Sequence, residues 1–144
     1  MNVEKKSPIP QGKYVPATRF ENLIFTAGMT PRKDGILQAS GKVKAGVPLE
    51  EHKDAVRLAA TNALTAARNK LNEGECIRVL SFWVYINAED DFTTHAKLAD
   101  FASEYLTEEL GENGVAARAA IGMGTLPGVA PVEVQLICGG IHNK

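Results

Sequence analysis

Eleven consecutive residues, Ile77–Asn87 (IRVLSFWVYIN), constrain this chain more than any other stretch. β-Branched and aromatic residues dominate the run, which suits a pleated strand. Ile77, Val79, Trp83 and Tyr85 share one parity and Leu80, Phe82, Val84 and Ile86 the other, so both faces are apolar. Such a strand must be covered on both sides. A side chain like Trp83 or Phe82 left in water forgoes about 1.5–3 kcal/mol of burial.

Helical patterns flank the run and supply cover for one side. Pro48 with Leu49-Glu50-Glu51 marks a helix start, where a missing N–H is harmless and negative charge suits the dipole. Val56, Ala59, Ala60, Ala63, Leu64, Ala67 and Leu71 then recur at helical spacing until Gly74. A second helix is predicted over Asp91–Leu110, with Phe92, Leu98, Phe101, Tyr105 and Leu106 inward and Gly111 as its stop. Strands are predicted at Tyr14–Phe20 and Asn22–Ala27, forming a hairpin, and a weaker one at Ile36–Val43. Two more, Val115–Met123 and Val132–Cys138, are joined by Gly124–Pro131 with its Pro127-Gly128 turn signal.

The order β-β-β-α-β-α-β-β predicts an α+β fold, a single domain over residues 1–144 with one mixed sheet. Right-handed crossovers place both helices on one face. The opposite face is then left open, and the two-sided apolar strand predicts that open faces meet across subunits in a closed homo-oligomer.

Composition narrows the function classes. Sixteen Lys and Arg against 17 Asp and Glu give a net charge of -1, with a pI near 6.3. No bulk field draws the chain to nucleic acid or an anionic membrane. No apolar run approaches the roughly 20 residues of a membrane span, and the start MNVEKKSPIP lacks a signal-peptide core, so the chain reads as cytoplasmic. Cys76 and Cys138 are too few for a disulfide framework and are expected to be reduced.

Most chemistry-bearing residue types form no constellation. His52, His95 and His142 are isolated from one another and from both cysteines, so no metal site is expected. No phosphate-binding glycine loop follows a strand, and Gly122–Gly124 and Gly139-Gly140 read as turn-makers at strand ends. Neither Ser81 nor Ser103 sits in a nucleophile elbow, and Glu50-Glu51 and Asp90-Asp91 complement helix dipoles. What remains is a pair of charges inside apolar strands. Arg118 shares a parity with Ala116, Ala120 and Gly122, while Glu133 and Gln135 lie opposite Val132, Val134, Leu136 and Cys138. Both charges are expected on the uncovered face. The spacing fits a structural ion pair and equally a guanidinium that captures a carboxylate.

The sequence resembles the Rid family, the YjgF-type reactive intermediate deaminases, from about Gly12 to Cys138. The resemblance rests on Gly12-Lys13-Tyr14, Phe25-Thr26-Ala27-Gly28, Val84–Asn87, Asp91-Phe92 and above all Arg118…Leu126-Pro127…Val132-Glu133-Val134. It implies a chorismate-mutase-like fold that trimerises around a sheet barrel, without cofactor or metal. It further implies that Arg118 binds a substrate carboxylate, that Glu133 orients water, and that Tyr14, Ala27, Gly28 and Ala120 line the pocket. The implied reaction is hydrolysis of 2-enamines and 2-imines to 2-ketoacids and ammonia at subunit clefts. Ala27 stands where the best-known deaminases have Ser, Ala120 where they have Cys, and Ala96 near a frequent Asn, so the sequence looks closer to a less characterised branch. The alternative is a non-catalytic trimer that binds a small carboxylate or ketoacid and regulates or recruits a partner. A ribonuclease or translation inhibitor, as some family names suggest, is disfavoured by the acidic pI and the lack of a basic or aromatic stripe.

Overall fold

The computed structural model describes residues 6–142. Its sheet has five strands in the spatial order β1 (Ala17–Phe20), β2 (Leu23–Thr26), β7 (Val132–His142), β5 (Glu75–Asn87) and β6 (Ala117–Met123). β5 and β6 run parallel and the other neighbours antiparallel. A parallel neighbour needs a crossover, and α2 (His95–Leu110) supplies it between β5 and β6. Helix α1 (Lys53–Arg68) leads into β5. Both helices bury their apolar stripes in the core: Val56, Ala59, Ala60, Ala63 and Leu64 from α1, Leu98, Ala102 and Leu106 from α2. Val132, Val134, Leu136 and Cys138 of β7 are fully buried in the same core. The α+β architecture, one mixed sheet with two helices on one face, is therefore as the sequence predicts.

Four details differ. First, β5 does not keep one parity. A bulge between Val79 and Ser81 sets two residues against one on β7, so Ile77 and Val79 share the helix-covered face with Phe82, Val84 and Ile86. Trp83 and Tyr85 turn to the open face beside Gln135 and Glu133. Second, Ile36–Val43 is not one strand. β3 (Arg32–Lys33) and β4 (Ile36–Leu37) make a separate hairpin, and Val43 reaches the main sheet only through a bridge to Ala88. Asp34 and Gly35 both have positive φ, and the two-residue turn they form detaches the hairpin. Third, β7 runs on to His142, so Gly139 and Gly140 lie inside a strand and His142 is not a frayed end. Gly140 is needed there because Arg19 and Glu75 pack over it, the Arg19 guanidinium only 3.0 Å from where a Cβ would sit. Fourth, α2 begins at His95, three residues after Phe92 tucks into the core, and α1 is preceded by a 3-10 turn over Leu49–His52.

The Arg19–Glu75 pair fastens the first strand to the α1–β5 turn. Arg19 donates to both Glu75 carboxylate oxygens at 2.7 and 3.0 Å and to the Lys70 carbonyl, while the Asn72 N–H also donates to Glu75. Arg19 and then the Asn72 N–H hold the Glu75 carboxyl at about 2, well below its ordinary 4.5. Among the described residues no helix is long and apolar enough to cross a membrane. Cys76 and Cys138 are both free thiols, and burial pushes Cys138 up to about 12.

Candidate functional site

Glu133 owes its position to the alternation of β7. Its neighbours Val132 and Val134 point into the core, which turns Glu133 to the open face, opposite Tyr85. β2 shapes its surroundings. After Phe25 pairs with Ile137, Thr26 accepts the Leu136 N–H on its hydroxyl at 2.9 Å, and pairing resumes only at Met29 with Val134. Ala27 and Gly28 are the residues spared by this irregularity. Ala27 N–H donates to the Pro16 carbonyl at 2.8 Å, whereas the Gly28 N–H meets no carbonyl of the described residues. A methyl group at Gly28 would collide with the Glu133 carboxylate, so glycine lets this carboxylate lie against the backbone.

The Glu133 carboxylate is half-buried and hydrogen-bonded by no side chain among the described residues. Burial alone pushes its carboxyl above the ordinary carboxylate range. Tyr85 donates its hydroxyl to Gln135 Oε1 at 2.9 Å, and burial, then the Glu133 charge, pushes the phenol up. A carboxylate with raised affinity for protons and no resident donor is suited to take a proton from water.

Tyr14 lies outside the sheet, since β1 starts only at Ala17. It is held in a turn by its own N–H to the Gly12 carbonyl at 3.0 Å and by its hydroxyl accepting the Gln11 N–H at 2.9 Å. With Gly28, Met29, Arg32 and Asn62 it lines a cavity of about 340 Å³ between the N-terminal segment, the β3–β4 hairpin and α1. Gly28 thus has that cavity on one side and Glu133 on the other.

Arg118 is not on this face, which corrects the sequence expectation. In β6 it pairs with Phe82, a core residue, so its side chain leaves the sheet toward α2. There Nη1 donates to Asp100 Oδ1 at 2.7 Å and Ser103 Oγ at 2.9 Å, and Nη2 to the Ala96 carbonyl at 3.1 Å. Ala120 follows on the same face, opposite Val84, and then Gly122, where a Cβ would come 2.7 Å from His95 Nε2. The candidate residues therefore form two groups on opposite faces of one sheet. Glu133, Gly28 and Ala27 stand on or beside the open face. Arg118 and Ala120 stand on the helix face of the edge strand.

Asp100 and Ser103 carry no signal of their own in the sequence, although Ala96, Asp100 and Ser103 follow i, i+4, i+7 spacing and so share one stripe of α2. No group of three His, Cys, Asp or Glu among the described residues could hold a metal ion.

Comparison with known proteins agrees with this fold. The sequence model of a family described as Endoribonuclease L-PSP matches residues 4–139. Protein TCP17 of Trypanosoma cruzi is 27% identical over 130 residues, 85% of this chain and 81% of its own. A crystal structure of a protein of unknown function from Agrobacterium tumefaciens is 31% identical, with a TM-score of 0.79 over 90% of this chain and 83% of that one. A candidate endoribonuclease of Shewanella oneidensis is 25% identical, with a TM-score of 0.83 over 95% and 91% of the two chains.

Proposed function

This chain belongs to the endoribonuclease L-PSP family, the YjgF-type or Rid family, and from that premise we propose that it hydrolyses reactive 2-enamines and 2-imino acids at clefts between subunits. The observation that carries the proposal is Glu133: a half-buried carboxylate with raised proton affinity, pressed against Gly28 and free of any resident hydrogen-bond donor among the described side chains. Arg118 completes the chemistry. Three of its five N–H donors are engaged, and the Nε–H and one Nη2–H remain for a ligand carboxylate.

The reaction follows from these two groups. A 2-imino acid anchored through its carboxylate presents C2 to water. Glu133 takes a proton as the water oxygen bonds to C2, the C=N electron pair moves to nitrogen, and the Glu133 carboxyl returns that proton to the nitrogen. Collapse of the resulting carbinolamine forms the C=O bond, breaks C–N and releases ammonia, leaving the 2-ketoacid. Ala27 and Ala120 add no acid or base, so the proton inventory rests on Glu133 and water. Gly28 can add its unengaged N–H to the anchoring, and Tyr14 borders the same wall.

Because Arg118 and Glu133 lie on opposite faces of one sheet, a single active site draws Arg118 from one copy and Glu133 from its neighbour. The open face favours such assembly. Phe25, Leu23, Ile121 and Met123 are each 37–39% exposed there, apolar surface that a facing subunit would cover. A homotrimer closing these faces into a barrel is the arrangement proposed. The endoribonuclease designation of some relatives finds little support in this chain's net charge of -1.

The test generates 2-imino acids in situ with an amino-acid oxidase and traps them with semicarbazide. Wild type is expected to suppress the adduct, whereas Arg118→Ala and Glu133→Gln are not. Failure of wild type to suppress it across several side chains would overturn the hydrolase reading.

A further inference from the structure

The carboxylate clamp is not empty of carboxylate. Asp100 Oδ1 already sits 2.7 Å from Arg118 Nη1, with Ser103 Oγ on the same nitrogen and the Ala96 carbonyl on Nη2. Asp100 is the exposed member: its side chain is 56% accessible against 19% for Arg118. With Ser103, Glu104, Thr107 and Glu108 it lines an open groove of about 430 Å³ along α2. Glu108 is paired with Arg57 at 2.8 Å and Asp100 with Arg118, so the single positive charge of the clamp is already balanced by Asp100. A ligand carboxylate on the remaining Arg118 donors therefore lies beside a second negative charge. A simple anion is repelled there. A ligand with a positive nitrogen on the carbon next to its carboxylate meets a partner for each charge.

We propose that Asp100 is a specificity-determining residue that makes the Arg118 site select zwitterionic ligands, a 2-iminium or 2-ammonium acid, over the 2-ketoacid anion. This rests on the reading of Arg118 as the carboxylate clamp and deepens it: substrate is held with its iminium toward Asp100, and the ketoacid product, having lost that cation, is disfavoured and leaves. Asp100 positions and discriminates; no bond is made or broken on it.

The pair 2-aminobutyrate and 2-ketobutyrate, which share a carbon skeleton, tests this by calorimetric or NMR titration of the intact oligomer, in wild type, Asp100→Asn and Arg118→Ala, with thermal melts to establish folding. An exposed charge contact is worth about two- to fivefold in affinity. Asp100→Asn should therefore weaken the amino acid and tighten the ketoacid by about that factor each, shifting their ratio by roughly tenfold. Equal weakening of both ligands would mean that Asp100 only orients Arg118, and an unchanged ratio would make it a bystander; either result overturns the inference. If neither ligand binds wild type or Asp100→Asn any better than Arg118→Ala, the clamp itself is wrong, and the inference falls with it.

Discussion

Mixing two inactive variants should restore activity. Arg118 leaves β6 toward α2, while Glu133 leaves β7 toward the open face, with β5 between the two strands. On the proposed reading the two groups that act on one small substrate therefore come from different chains. Arg118→Ala alone removes two charge-assisted hydrogen bonds to a ligand carboxylate, a loss on the order of 10²-fold or more in kcat/KM. Glu133→Gln alone removes the proton acceptor. Co-refolded at equal amounts, the two chains distribute at random around a closed ring. A cleft is competent when the Arg118 donor is the Glu133→Gln chain and the Glu133 donor is the Arg118→Ala chain, one arrangement in about four for a cyclic assembly. Adduct suppression should therefore recover to about a quarter of the wild-type rate, against a near-zero sum for the separate variants. Native mass spectrometry reports whether mixed oligomers have formed. Mixed oligomers without recovered activity would refute the two-chain site, and with it the inference drawn from opposite faces.

Three further outcomes follow from the same geometry. Gly28→Ala should displace the Glu133 carboxylate and, since a misplacement of about 1 Å can cost on the order of 10²-fold, strongly depress turnover while the melting temperature barely moves; parallel loss of both would show a purely structural glycine. Ile137→Lys, set on the open face opposite Ser81 and Phe25, should give a monomer by light scattering, and an unchanged mass would remove the open face from the subunit interface. Glu75, held at about 2 against an ordinary 4.5, contributes at most about 3 kcal/mol that is complete above about pH 4.5 and lost as the pH falls toward 2. Arg19→Ala should accordingly destabilise the protein by roughly 2–4 kcal/mol in urea at neutral pH and flatten its stability profile between pH 5 and 2, whereas an unchanged midpoint would show the pair to be superficial.

Periodicity made much of this fold legible. α1, α2 and the outward position of Glu133 follow from strong contrasts: an alanine–leucine stripe against charges, and Val-Glu-Val-Gln-Leu against a core. Arg118 escaped because β6 offers no such contrast. Alanines occupy both parities, and the larger residues Ile121 and Met123 face outward, as an edge strand at a sheet margin allows. What draws Arg118 to the helix side is Asp100, Ser103 and Ala96 of α2, an attraction between elements that no window along β6 contains. The buried Arg19–Glu75 pair joins residues 56 positions apart and was invisible for the same reason. Val79–Ser81 hid the bulge, since no glycine or asparagine marks it.

That bulge frees Leu80 from the alternation its neighbours obey. Its side chain is 40% exposed and should accept most replacements. Deleting it would join Val79 to Ser81 in unbroken alternation that keeps Ile77, Val79, Phe82, Val84 and Ile86 on the helix-covered face and leaves Val79 opposite Cys138 and Ser81 opposite Ile137. Substituting Leu80 and deleting it should thus both leave the inward row of β5 intact, and folding should tolerate either change.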